Sequence, residues 1–438
     1  MQFGTDGIRG VAGDDVTSSL AFALGRAVAR TFPDGPVVVG CDTRESSGWL
    51  LASVIAGLNA EGATVRNLGV MPTPAVAVVA EGVLGSGVVV SASHNPYADN
   101  GLKVFGPLGA KLDRAAEESI ETLLNGEFAD ESYDGPFDLP ELYLEGVAYY
   151  YALLKSRVPG QSLAGLKVVI DCANGAASYL APQLFSELGC DLTVLHAEPN
   201  GTNINEACGS THPDDLIAAV RTYGADLGLA FDGDADRCVA VDATGVLRDG
   251  DDQMVVFATD LHARGGLRGT LVVTSMSNLG LRRAMRAANV ALRETDVGDK
   301  YVLAALEEHD LPFGGEQSGH LIFRSLSPTG DGVLTGLLLC DLVRRRGPLG
   351  ELCDELWHRS PQQLWNIERD AYDEHLVDDL VREALAAAGV ALEDARVVIR
   401  PSGTEPVVRV MLECDDARVL TSLDEALRQR LGEAVRAR

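Results

Sequence analysis

The chain has 438 residues, more than one ordinary hydrophobic core accommodates, so two to four domains are expected. Its apolar share of 46% comes with only 5% aromatics and 47 glycines, so Ala, Val and Leu carry the core, which suits helices packed on parallel-type strands. A formal charge of -28, from 64 acidic and 36 basic residues of which five are lysine, argues against nucleic acid and anionic membrane as partners.

Such an acidic, lysine-poor surface repels itself in dilute buffer and suits a medium salty enough to screen it. It predicts the cytosolic protein of a halophile, archaeal in our reading; an ordinary acidic enzyme is the alternative. The opening "MQFGTDGIRG" has no apolar leader core, and no apolar run reaches the roughly 18 residues of a membrane span, so a soluble, cytoplasmic protein is expected. The eight cysteines show no C-x-x-C pair and no companion histidine at zinc spacing, and read as reduced, mostly buried thiols.

In chain order, the first motif is "FGTDGIRG", where Arg9 between glycines is either a turn residue or an anion contact. "VVVGCDTRESS" from Val37, "KVVIDCANGAA" from Lys167 and "LVVTSMSNLGL" from Leu271 share one layout: an apolar strand, a small or polar residue at its end, then a helix start. Each is followed by a second apolar run that stops in a polar, Gly-containing loop, namely "VVVSASHNP", "LGLAFDGDADR" and "LPFGGEQSGH". This is a weak threefold repeat of one α/β unit. Ligands bind at the carboxyl ends of strands in such sheets, so three units facing one cleft would bring their loops together.

After about residue 360 the pattern changes to strand, helix ("DEHLVDDLVREALAAAG"), strand ("ARVVIR"), loop ("PSGTEP"), strand ("VVRVMLE") and a charged helix. The predicted fold is α/β: three similar α/β domains with mixed sheets around a central cleft, at 1–140, 141–239 and 240–359, plus a smaller α+β domain at 360–438.

The loops carry the chemistry. In "FDGDADR" the carboxylates of Asp232, Asp234 and Asp236 alternate and can present three oxygens to one hard cation, for which Mg²⁺ is the choice. An EF-hand fails, because Arg237 and Ala243 stand where Gly and Glu are required. A haloacid-dehalogenase-like phosphatase shares the strand-then-D-x-D start but usually has Thr or Val in place of Asp236. "RPSGTEPVVR" offers two hydroxyls and free backbone N–H groups between Arg400 and Arg409, a cradle for an oxyanion, although a plain hairpin reads the same way. In "GGEQSGH" the alternating Glu316, Ser318 and His320 can line one side of a pocket for sugar hydroxyls.

"SASHNPYADNGLK" places Ser93 beside His94, but no G-x-S-x-G elbow and no third triad member accompany them. A serine served by a three-carboxylate metal loop and a phosphate cradle fits a phosphoryl carrier instead, with Lys103 stabilising charge or shuttling a proton.

"FGTDGIRG", "SASHNPYADNGLKVF", "FDGDADR", "GGEQSGH" and "RPSGTEPVVRV", in that order from residue 3 to residue 410, resemble the α-D-phosphohexomutase family. The resemblance implies that Ser93 is the phosphoserine and that its phosphate, with Asp232, Asp234 and Asp236, holds Mg²⁺. It also implies that Arg237 is an active-site cation and that Arg9, His94 and Lys103 surround the phosphoserine, the general acid or base among them being open. Glu316 and Ser318 match the sugar loop, with His320 in the same motif, and Arg400, Ser402, Gly403, Thr404 and Arg409 match the grip on the substrate's non-reacting phosphate.

The implied reaction interconverts a hexose 6-phosphate and a hexose 1-phosphate through a 1,6-bisphosphate that also primes the enzyme. The start, sugar loop and cradle look like the branch acting on glucosamine 6-phosphate and glucosamine 1-phosphate, although Ala235 stands where glycine is frequent there. A phosphomannomutase or phosphoglucomutase of the family, and a Mg²⁺-dependent sugar phosphatase, are the alternatives. The expected partner is a sugar phosphate, and a homodimer is compatible with the sequence.

Overall fold

The fold is described for residues 7–136, 139–368, 395–401 and 407–436 of a computed structural model. Seventeen strands among them make four sheets. The first contains β1 (Ile8–Val11), β2 (Val37–Cys41), β3 (Val65–Val70), β4 (Ser86–Val90) and β5 (Asp99–Phe105), in the order β1-β5-β4-β2-β3. The second contains β6 (Lys167–Asp171), β7 (Asp191–Leu195), β8 (Leu227–Phe231), β9 (Cys238–Asp242) and β10 (Leu247–Arg248), in the order β10-β9-β8-β6-β7. The third contains β11 (Thr270–Thr274), β12 (Ala291–Thr295), β13 (Phe313–Gly315) and β14 (Leu321–Phe323), in the order β12-β11-β13-β14.

Without β1 and β10 the three sheets are one four-strand unit drawn three times. β2 runs parallel to β3 and β4, and β4 turns back antiparallel into β5. β6, β7, β8 and β9 repeat this, as do β11, β12, β13 and β14. β2, β4 and β8 are buried along their whole length, which is why they read as unbroken apolar runs rather than as alternating ones. Each unit delivers one loop where its parallel strand reverses, after β4, β8 and β13. The predicted α/β class and the repeat are both present, and one continuous core joins Val76 of the first unit, Phe185 of the second and Phe313 of the third.

One expected boundary needs correction. Position 239/240 falls inside β9, whose ladder with β8 and with β10 keeps the chain in the second sheet through Arg248. The acidic loop is the turn of the β8–β9 hairpin, not the end of a domain.

The fourth sheet is antiparallel, with β17 (Val407–Cys414) between β15 (Gln362–Glu368) and β16 (Ala395–Pro401). The helix Ala417–Arg436 packs Leu420, Leu423 and Leu427 on it. This sheet docks on the third unit through Arg396, whose Nη1 donates to Ser277 O (2.8 Å) and to Glu413 Oε2 (3.2 Å), while Asn278 Nδ2 donates to Glu413 Oε1 (2.9 Å). The helix expected at 373–389 lies outside the described residues. No helix among those described is long and apolar enough to cross a membrane.

Candidate active site

Ser93 lies just beyond the end of β4, fully buried, with φ at +52°. That left-handed conformation costs a serine about 1–2 kcal/mol, so its surroundings must impose it. They do so through the main chain. Arg44, also buried, donates from Nη2 to Ser93 O (3.0 Å) and Asn95 O (2.8 Å), and from Nη1 to Asp99 O (3.0 Å) and to Pro96 O. Asp42 orients Arg44 at Nε (2.8 Å) and accepts from Ser91 Oγ (2.6 Å), which in turn accepts from Ser93 N (3.0 Å). From the second unit Asn205 Nδ2 donates to Ser93 O (2.9 Å) and Asn95 O (3.0 Å). Gly233 passes so close that a Cβ there would run into the Ser93 carbonyl oxygen.

That approach sets Ser93 against the acidic loop. Its hydroxyl donates to Asp232 Oδ2 over 2.6 Å. Asp234 Oδ2 accepts from Thr73 Oγ1 (2.6 Å) and from Lys103 Nζ (2.7 Å), and Lys103 Nζ is 3.5 Å from Asp236 Oδ2. Asp232, Asp234 and Asp236 are all buried and each can place an oxygen within 4.8 Å of the others. Burial, with Asp236 and Asp234 close by, pushes the Asp232 carboxyl well up. Asp236 is held well down against its burial by Lys103 and His320. Oδ1 of Asp234 and Oδ1 of Asp236 are buried without a hydrogen bond. Three oxygen-only carboxylates, two of them with an orphaned atom, fit a hard divalent cation. Ala235 takes φ +56° here, a conformation glycine tolerates better.

Around this pair lie the predicted cations and histidine. Arg9 is in β1, opposite Gly101 of β5. Arg237 N donates to Asp232 Oδ1 (3.2 Å), and its Nε is 3.8 Å from Asp236 Oδ1. His94 Nδ1 is 3.4 Å from Ser93 Oγ, but burial, together with Arg237 and Arg9, pulls this imidazole down to about 4. It is neutral at physiological pH. Ser93 therefore faces a carboxylate first and an imidazole second, which is not a hydrolase triad.

In the third loop Glu316 is buried, accepts from Gly298 N at Oε1 (2.9 Å) and is raised by its burial. Ser318 Oγ is buried without a hydrogen bond. His320 points at the second loop, with Nδ1 3.6 Å from Asp236 Oδ1 and Nε2 3.7 Å from Asp299 Oδ2. Burial lowers it, but Asp236, Asp299 and Glu316 outweigh that and raise it to about 9, an imidazolium at neutral pH. Asp299 also pairs with Lys111 Nζ (2.7 Å), and Lys300 with Glu117 (3.6 Å), so two ion pairs join the first and third units.

Arg400 and Arg409 are register partners across β16 and β17, while Ser402, Gly403 and Thr404 lie outside the described residues. Sequence reasoning missed Asp42, Arg44, Thr73, Ser91, Asn205 and Asp299. The one available signal was "CDTR", which places an acid and an arginine at the end of a buried strand.

Fold and site together define a phosphotransfer enzyme built of repeated α/β units. Models of the phosphoglucomutase/phosphomannomutase alpha/beta/alpha domains I, II and III match residues 1–130, 142–245 and 249–360, and that of the C-terminal domain matches 370–430. The chain is 46% identical over 424 residues to the phosphoglucosamine mutase of Pelotomaculum thermopropionicum, covering 94% of this chain and 95% of that one. It is 47% identical over 433 residues to the phosphoglucosamine mutase of Mycolicibacterium smegmatis, with 94% and 95% covered. Among solved structures, a phosphoglucomutase/phosphomannomutase family protein from Burkholderia thailandensis superposes with a TM-score of 0.81 at 26% identity over 99% of this chain and 98% of that one. The chain belongs to the phosphoglucomutase/phosphomannomutase family.

Proposed function

We propose that this phosphohexomutase interconverts glucosamine 6-phosphate and glucosamine 1-phosphate, with Ser93 carrying the phosphoryl group. The observation that carries the reading is the 2.6 Å contact of Ser93 Oγ with Asp232, which seats the hydroxyl against the three-carboxylate loop. The choice of sugar rests on the names of the relatives that share 46–47% of the sequence.

Ser93 Oγ, Asp232, Asp234 and Asp236 would hold Mg²⁺, which supplies charge neutralisation to the phosphoryl group when bound. The chain's own residues do the rest. Phospho-Ser93 gives its phosphoryl to the free hydroxyl of the bound sugar phosphate, the P–O bond to Oγ breaks, and the hydroxyl proton leaves to a base. The resulting 1,6-bisphosphate turns over in the cleft and returns its other phosphoryl to Ser93 Oγ. Lys103, Arg9 and Arg237 offset the charge of the transferring group. Glu316 and Ser318 hold sugar hydroxyls in either orientation, and Arg400, Ser402, Gly403, Thr404 and Arg409 grip the phosphate that is not reacting. His320, buried between Asp236 and Asp299, fits a role in aligning the second and third loops.

Adaptation to high salt, a cytoplasmic location and assembly as a homodimer belong to the same proposal. The charge of -28 supports the first, and the exposed Leu142, Leu144 and Tyr149 support the last.

The test is a coupled mutase assay with Mg²⁺ in molar KCl after priming with a hexose 1,6-bisphosphate, comparing the glucosamine, glucose and mannose phosphates. The glucosamine pair should have the highest kcat/KM. Preference for mannose or glucose phosphates would move the enzyme to another branch of the family, and steady release of inorganic phosphate would make it a phosphatase.

A further inference from the structure

A second cluster, separate from Asp232, Asp234 and Asp236, lies at the carboxyl end of the second sheet. Asp171 ends β6, His196 follows the end of its parallel neighbour β7, and Cys208 lies on the connection that carries Asn205. One ligand atom from each of the three lies within 4.8 Å of the others, and Asp171 and Cys208 are fully buried.

Three details bear on what this cluster can hold. His196 Nδ1 is buried 3.0 Å from Asp171 Oδ2, a contact that raises the imidazole although it falls outside good hydrogen-bond alignment. An imidazole nitrogen and a carboxylate oxygen this close can both reach a third atom placed between them. On the far side of the ring, Nε2 is 3.3 Å from Asp215 Oδ2, and an outer carboxylate of this kind orients most metal-bound imidazoles. Finally, the Asp171 carboxylate is held in place by two main-chain donors, Ala173 N (2.9 Å) and Gly209 N (3.0 Å), before any ion arrives.

We infer that Asp171, His196 and Cys208 form a zinc site, with a water as fourth ligand on the half-buried His196 side. A thiolate, an imidazole and a carboxylate are a borderline-soft set that selects Zn²⁺ over the Mg²⁺ suited to the all-carboxylate loop. Loading it releases the thiol proton to solvent. Because Cys208 and Asn205 share one loop, the ion braces from behind the amide that holds the Ser93 and Asn95 carbonyls. The inference does not depend on which sugar the cleft takes.

The experiment equilibrates the full chain with zinc chloride in the presence of excess Mg²⁺, desalts it and measures bound metal by plasma mass spectrometry. Wild type and Cys190→Ser should retain one zinc per chain, and Cys208→Ser and His196→Gln less than about a tenth of that. With cobalt in place of zinc, wild type should show a thiolate-to-metal charge-transfer absorption that Cys208→Ser lacks. Failure of wild type to retain stoichiometric zinc under Mg²⁺, or full retention by both site variants, overturns the inference. Neither readout requires turnover, so loss of zinc binding and loss of mutase activity are scored separately.

Discussion

Arg44 Nη2 donates to the main-chain oxygen of Ser93 over 3.0 Å, so the serine proposed to carry the phosphoryl group is held from behind by a buried guanidinium. The same group serves the carbonyls of Asn95, Pro96 and Asp99, and only a planar fork can reach them all. Arg44→Lys keeps the charge and loses the fork. It should lower mutase turnover by about 10- to 100-fold and stability by about 2–4 kcal/mol in urea unfolding. Wild-type values for both would mean that the loop holds itself.

Lys103 Nζ sits 2.7 Å from Asp234 Oδ2 and 3.5 Å from Asp236 Oδ2, so its charge opposes that of the Mg²⁺ proposed for the same carboxylates. Lys103→Met should therefore tighten Mg²⁺ binding in a calorimetric titration while reducing kcat by roughly 10²- to 10³-fold, since a positive charge beside the transferring group is gone. Weaker Mg²⁺ binding in this variant would contradict the geometry.

Asp331 caps the helix Gly332–Arg346 by accepting from Leu334 N (2.9 Å) and accepts from Tyr150 Oη (2.9 Å). Burial, only partly offset by these bonds, raises it to about 6. A carboxyl raised on folding contributes stability that is present below the ordinary carboxylate value and lost as pH rises through about 6. Asp331→Asn keeps a capping oxygen but cannot titrate. Its unfolding free energy should fall less than that of wild type between about pH 4 and pH 6, a difference on the order of a few kcal/mol. Parallel pH profiles would place the carboxyl's titration elsewhere.

The acidic surface predicts a salt response. Raising KCl from about 0.1 M to about 2 M should raise Tm, because screening removes self-repulsion among 64 carboxylates facing 36 cations. A Tm that is flat or falls with KCl would identify an ordinary acidic enzyme.

Much of this is legible in the sequence. Parallel strands buried on both faces leave unbroken apolar runs, so "VVVGC", "LGLAF" and the polar loops after the second run of each unit exposed the repeat and three of the site's loops. Arg44 and Asn205 stayed hidden because they act on the Ser93 carbonyl from 49 and 112 residues away, and main-chain acceptors leave no mark in a sequence; Asp42 stayed hidden because the hydroxyl it accepts from, Ser91, is 49 residues away. The boundary near 240 was misplaced because a hairpin turn carrying three acids looks like a linker, while the ladder beyond it, β8 with β9, depends on pairing. The cluster of Asp171, His196 and Cys208 escaped for the same reason: adjacent strand ends bring together residues that no zinc spacing connects.

The most direct measurement is peptide mass mapping after incubation with glucosamine 1,6-bisphosphate and Mg²⁺, followed by a chase with glucosamine 6-phosphate. One phosphate is expected, on the peptide containing Ser93 and discharged by the chase, with no phosphate and no turnover in Ser93→Ala although that variant folds. Phosphate on a different residue, or phosphate on Ser93 that the sugar cannot remove, would contradict the carrier role of Ser93.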